Sequence, residues 1–177
     1  MSPDERPILT HLDDRGQAWM VDVSGKDVTA RSATASGFVA TTAAVIAALR
    51  GDGMAKGDAL AVARIAGIQA AKRTPELVPL CHPIAIHGVR VDLAVTDDGV
   101  TIVATVRTAD RTGVEMEALT CVAVAGLTLI DMVKAVDRSA TLTFVRVEHK
   151  TGGRSGTWRR TSAPARPAGD PSRPPAL

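Results

Sequence analysis

Between Gly113 and Asp137 the chain reads GVEMEALTCVAVAGLTLIDMVKAVD, and no other stretch limits the possible folds as strongly. Glu115 and Glu117 flank Met116 at its start, Asp131 and Lys134 stand near its end, and everything from Ala118 to Ile130 is uncharged. Leu119, Val122, Gly126, Leu129, Val133 and Val136 recur at steps of three and four, the spacing of one helical face. The uncharged part falls short of the roughly 20 apolar residues that span a bilayer, so it predicts a core or subunit-contact helix. Ala123, Ala125 and Gly126 are small enough to let a neighbouring helix or subunit approach closely. Glu117 and Asp131 lie about 20 Å apart along such a helix. One compact site cannot easily use both ends of one copy, so either the ligand is long or each site takes opposite ends from different subunits.

A chain of 177 residues fits one domain able to bury a core without staples. The net charge of +2 conceals an asymmetry, because Lys150, Arg154, Arg159, Arg160, Arg166 and Arg173 face only Asp170 in the tail. The body is slightly acidic, and the pI of about 8.8 is weak support for nucleic-acid binding. Two Phe, two Trp and no Tyr leave few platforms on which bases could stack. Cys81 and Cys121 form no C-x-x-C pair and read as buried or site-lining thiols of a reducing cytosol, with a disulfide or zinc site as the alternative. The acidic start MSPDERPILTHLDD holds no apolar signal segment, which predicts a cytoplasmic protein.

Taken in order, THLDDRG predicts a turn before the short apolar segment Trp19 to Val23, and residues 31 to 41, with a single charge, predict a strand. An Ala-rich helix follows from Thr42 to Leu49, ending at Gly51-Asp52-Gly53. Asp58 is a good N-cap for a second helix that Pro75 stops near Arg73. PELVPLCHP is a stiff loop in which Pro79 and Pro83 bracket Leu80, Cys81 and His82. Val89, Val91, Leu93 and Val95 alternate with polar or small residues, Asp97-Asp98-Gly99 turns, and Val100, Ile102, Ala104 and Val106 alternate back, a clear hairpin. After the long helix a last strand runs from Ala140 to Glu148, with Leu142 and Phe144 out of phase with Val145 and Val147. The order strand, helix, two strands, helix, strand predicts an α+β, ferredoxin-like split βαβ domain over residues 1–156, its antiparallel sheet covered by helices on one face. Residues 157–177, rich in Pro, Gly, Ser and Arg, predict a disordered tail.

Several residues are candidates for chemistry. His82 is held in the proline-rich loop. Lys56 precedes a helix N-cap and can meet phosphate oxygens. Asp131 and Lys134 are an i,i+3 pair at the margin of an apolar surface, where desolvation tunes a lysine for acid–base work. Glu115 and Glu117 occupy a first helical turn, which the macrodipole favours, and point to different faces. Lys150-Thr-Gly-Gly-Arg-Ser-Gly resembles an anion-binding loop without the Walker A spacing. These features alone reach only an anionic ligand held by Lys, His and Arg, with no metal-ligand cluster.

Together, LTHLDDRGQAWMVDVSGKDVTAR, KGDALAVARIAGIQAAKRTPELVPLCHP, TGVEMEALTCVAVAGLTLIDMVKAVD and KTGGRSG resemble the cyclic pyranopterin monophosphate synthase family, the C protein of molybdenum cofactor biosynthesis, from about Leu9 to Gly156. The resemblance implies a ferredoxin-like subunit of a homohexamer, a trimer of dimers with sites at subunit contacts. It implies a lyase that rearranges 3′,8-cyclo-7,8-dihydroguanosine 5′-triphosphate, the product of a radical S-adenosylmethionine enzyme acting on GTP, to cyclic pyranopterin monophosphate with release of diphosphate. Matched onto this chain, the family's catalytic residues are Asp131, Lys134 and Lys56, and its substrate-binding residues are Leu80, Cys81, His82, Met116 and Glu117. Glu115 and Lys150 complete the candidate set. No cofactor is required, and Mg²⁺ accompanying the triphosphate stays open. Trp19 and Arg154 depart from the usual family residues while preserving bulk or charge. Asp131 and Lys134 suit the repeated proton transfers of ring opening and rebuilding, while Lys56 and a protonated His82 suit the displaced diphosphate. A ferredoxin-like RNA-binding module would need aromatic residues that the hairpin lacks, and a small-molecule-sensing domain would not need Asp131 and Lys134 beside a pocket.

Overall fold

The computed structural model describes residues 10–51 and 58–161. In chain order these form β1 (Thr29–Ala40), α1 (Ala43–Arg50), α2 (Ala59–Lys72), the single turn α3 (Thr74–Leu77), β2 (Ile86–Val95), β3 (Gly99–Asp110), α4 (Glu115–Val133), β4 (Thr141–Thr151) and β5 (Trp158–Arg159). The sheet order is β2-β3-β1-β4-β5 with every pair antiparallel, the arrangement of the expected ferredoxin-like α+β fold.

One face of the sheet carries the core. Ala33, Ala35 and Val39 of β1 lie opposite Val106, Ala104 and Val100 of β3, and all six are fully buried beneath the helices. Alternation along each strand sends these residues to one side, as the hairpin pattern requires. Helix α4 packs on this face and α2 packs on α4. Glycine makes both approaches possible. A Cβ at Gly37 would lie 2.6 Å from Val122 Cγ1, one at Gly126 would lie 2.6 Å from Leu142, and one at Gly67 would lie 2.9 Å from the Cys121 carbonyl oxygen. Val122, Gly126, Leu129 and Val133 are buried as the helical spacing demands, whereas Leu119 is only half-buried and Val136 is exposed beyond the helix end. Helix α4 has the length and hydropathy of a membrane span, yet this packing makes it a core element.

Several boundaries differ from the sequence reading for local reasons. Pro75 does end α2, but Thr74 and Pro75 open the one-turn α3, because proline is favoured in a first turn and the buried Thr74 hydroxyl bonds back to the Ala70 and Ala71 carbonyls. The phase conflict in β4 is a pair of bulges. Ser36 pairs with Arg146 but Phe38 with Thr143, and Thr34 pairs with His149 but Ala35 with Val147. Phe144, at φ 55°, takes up the first irregularity, so Leu142 and Val147 both reach the helix-facing side although five residues apart. The disorder expected from Thr157 does not begin there, since Trp158 and Arg159 pair with Lys150 and His149 as β5. The rest of that segment, 162–177, lies outside the described residues.

The loop after α4 is tied to α1 by one carboxylate. Asp137 accepts from the Ser139 and Thr41 hydroxyls and from the Ser139 and Thr42 backbone N–H groups. These bonds, led by the Ser139 hydroxyl, hold its pKa down at about 2. Replacing Gly67 tests the α2–α4 contact: Gly67→Val should lower unfolding stability by about 2–3 kcal/mol, read as a reduced urea midpoint with an unchanged slope.

Candidate active site

A cleft of about 360 Å³ opens at the N-terminal end of α4. One wall is the first turn of the helix, with Glu115, Met116 and Glu117. Leu80, Cys81 and His82 form a second wall, and the segment from Thr10 to Lys26 contributes a third through His11, Val21, Val23 and Lys26. All five residues expected to bind substrate therefore share one cavity. Glu115 joins them, and Lys150 reaches its carboxylate at 3.0 Å from β4.

Local structure explains the placement. The Cys81 N–H closes a turn onto the Val78 carbonyl, and His82 Nε2 lies 2.7 Å from the Val21 carbonyl oxygen. A carbonyl only accepts, so Nε2 carries the hydrogen and Nδ1 is left as the second polar atom of the ring. Gly113 has a steric task, since a Cβ there would collide with the Glu115 carboxylate folded back over it.

Glu117 is the unusual group. It is 3% exposed, and its Oε2 is buried with no hydrogen-bond partner among the described residues. Burial, with the Glu115 charge adding to it, lifts its pKa from 4.5 to about 7. Near neutral pH it is thus divided between a carboxylic acid that donates and a carboxylate that accepts. Cys81 is pushed up by burial and then by the Glu117 charge, so it is a lining thiol and not a ready nucleophile. Cys121, fully buried and raised to about 12, is structural, and both cysteines are free.

Asp131 and Lys134 lie elsewhere. They form an ion pair of 2.6 Å between Oδ1 and Nζ at the far end of α4, with both side chains more than half exposed. About 20 Å of helix separates them from Glu117, so a single copy does not bring the two groups together. Lys56 lies in residues 52–57, outside the described set.

Sequence reasoning passed over four residues near the cleft. His11, Thr112 and Lys26 line it directly. Arg31, the lone charge in the sequence reading of the first strand, donates to the Asp110 and Arg111 carbonyls at 2.8 and 3.0 Å. Its guanidinium underlies Gly153, where a side chain would strike it, so the glycine loop packs directly on the cation that bonds the end of β3. That single cation in a neutral strand was the available signal.

Comparison with known proteins settles the family. The model of the MoaC family matches residues 20–153, which include the cleft's α4 and loop walls and the Asp131–Lys134 end. This chain belongs to the MoaC family. The cyclic pyranopterin monophosphate synthase of Streptomyces avermitilis is 65% identical over 159 residues, covering 90% of this chain and 94% of that protein. That of Streptomyces griseus is 67% identical over 87% of each chain, and cyclic pyranopterin monophosphate synthase 2 of Mycobacterium tuberculosis is 57% identical over 86% of this chain and 91% of its own. Within this MoaC-family cleft, the sign of the Glu117 effect is defined. An acid whose folded pKa lies above its unfolded value loses stability for the fold as pH rises from about 4.5 to about 7. Glu117→Gln should therefore melt at a higher temperature than wild type at pH 8, with the difference vanishing near pH 4.5 in calorimetric scans.

Proposed function

We infer that this protein converts 3′,8-cyclo-7,8-dihydroguanosine 5′-triphosphate to cyclic pyranopterin monophosphate with release of diphosphate, a lyase step of molybdenum cofactor biosynthesis. The extent of its identity to synthases of that name carries the reading, because the match runs through the cleft walls and the distant Asp131–Lys134 pair alike. The cleft is compatible with it. Carboxyl groups on α4 face ring N–H groups of a guanosine-derived ligand, and His82 and nearby cations offset phosphate charge.

In the mechanism we assign, Asp131 and Lys134 exchange the protons that opening a purine-derived ring and rebuilding it as a pterin demand. Lys56 and His82 hold the triphosphate. A substrate hydroxyl gives up its proton to the Asp131–Lys134 pair as its oxygen attacks the α-phosphorus, the bond to the β-phosphate breaks, and the departing diphosphate keeps the electron pair, stabilised by the Lys56 and His82 cations. No cofactor is required, and any Mg²⁺ travels with the phosphates. The substrate is supplied by a radical S-adenosylmethionine enzyme acting on GTP, in the cytoplasm.

Both halves of this machinery meet if the working unit is a homohexamer, a trimer of dimers, in which one subunit's cleft receives the Asp131–Lys134 end of another. Two observations favour that assembly. The ends of α4 are too far apart for one copy, and apolar Met116 and Leu127 lie exposed on one face of α4, with Val62 and Ile65 exposed on α2.

Lys134→Ala should abolish turnover, measured as diphosphate release, while leaving the oligomer's sedimentation unchanged; normal product formation by that variant removes Lys134 from the mechanism. Mixing Glu117→Ala with Asp131→Ala subunits should restore part of the activity through hybrid assemblies that contain wild-type sites. Absence of rescue, with hybrids demonstrated by mass spectrometry, contradicts shared sites.

A further inference from the structure

We propose that Arg111 is a positioning residue for His82: by pinning the segment that precedes β1, it keeps a backbone carbonyl on the imidazole and leaves Nδ1 as the ring atom offered to the ligand. The inference rests on the role assigned to His82 above. Residues 10–28 contribute no strand to the sheet, and Val21 and Val23 are the half-buried members of an otherwise exposed run. Yet this segment supplies one wall of the cleft. Its hydrogen bonds run largely within itself, as in Gln17 with Asp13 and Trp19 with His11. Among the described residues, two hydrogen bonds join it to the rest of the fold. His82 Nε2 donates to the Val21 carbonyl at 2.7 Å, and the Arg111 guanidinium donates to the Ser24 carbonyl.

The two accepting carbonyls are three residues apart, and the chain between them is braced. The Asp22 carboxylate accepts from the Ser24 N–H at 2.8 Å, and the Lys26 N–H closes a turn onto the Val23 carbonyl at 3.0 Å. A displacement at Ser24 is therefore carried to Val21. Arg111 is well founded to resist one. Its N–H donates to the Asp110 carboxylate at 2.7 Å and its carbonyl accepts from Arg31 at 3.0 Å, so the backbone beneath this guanidinium is held from both sides at the end of β3. A neutral imidazole can carry its hydrogen on either nitrogen, and the partner of one nitrogen decides which. For His82 that partner belongs to the exposed segment and not to the proline-braced loop that carries the ring. Without the Arg111 tether the Val21 carbonyl would move with its segment, and the ring would lose both a fixed tautomer and a fixed heading. Pre-set orientation of this kind is what a group meeting a developing charge requires.

The test compares wild type with Arg111→Met, which removes the donors while keeping an unbranched apolar stem, and with Arg111→Lys, which retains a cation able to reach a carbonyl. Nitrogen NMR of isotope-labelled histidine, recorded above neutral pH, should show one pyrrole-type Nε2 and one pyridine-type Nδ1 signal for wild-type His82. In Arg111→Met the two signals should move toward each other as the ring exchanges tautomers, and kcat/KM should fall about tenfold, the worth of one hydrogen bond from a charged donor. Arg111→Lys should recover most of both. An unaltered His82 spectrum in Arg111→Met overturns the proposal: with activity kept, Arg111 is an ordinary surface cation, and with activity and calorimetric binding of inorganic diphosphate both lost, it is a direct ligand contact. A melting temperature lowered equally in both variants, with the spectrum altered in both, makes Arg111 a general structural residue and overturns it as well. A wild-type protein without turnover would defeat the assigned reaction, whereas the spectra would still decide whether Arg111 sets the His82 tautomer.

Discussion

The close contact of α4 with the sheet on one side and with α2 on the other governs everything else in this molecule. It depends on three glycines, because Gly37, Gly67 and Gly126 each stand where a Cβ would press within 3 Å of a neighbouring atom. Close packing of this kind fixes the helix in rotation and along its axis, since interiors resist displacement even by a methyl group. With that position set, the charged residues at its two tips have no freedom about where they lie. Glu117 turns inward at one end, and Asp131 and Lys134 are presented to solvent at the other.

The cleft follows from that inward turn. A helix whose first residues are acidic normally shows them to water, where the macrodipole and solvation both favour charge. Here Val114 offers no side-chain cap, Glu115 folds over Gly113 toward Lys150, and Glu117 is driven into the protein with one oxygen unsatisfied. An unpaired buried carboxyl oxygen is destabilising in the free protein. It is also an acceptor or donor prepared for a ligand, and substrate N–H groups would compensate what the fold leaves open. Site and stability are thus opposed at Glu117, a balance common where binding groups are buried in advance of their partner.

Much of the fold was legible because strong local signals agreed. The alternation from Val89 to Val106 specified the hairpin, Asp58 specified the start of α2 and does accept from the Ala61 N–H, and the three-and-four spacing specified α4. The failures arose where long-range pairing overrides local pattern. The phase break between Leu142-Phe144 and Val145-Val147 signals an irregularity, but only pairing with β1 turns it into two bulges that accommodate two extra residues, and Trp158-Arg159 become a strand where β4 presents an edge to them.

Residue types and their spacing determined which side chains are able to do chemistry, and the family motifs assigned them roles: a proline-braced Leu80-Cys81-His82, acids at the head of the long helix, an acid and a lysine one turn apart at its foot. Tertiary structure alone decided which of them meet. It brought the loop and the helix head into one cavity with His11 and Lys26 of the N-terminal segment, and kept Asp131 and Lys134 away. The reason is that spacing along a chain encodes the direction of a side chain within its own element, whereas convergence depends on how elements pack, and packing is set by contacts between residues far apart in sequence.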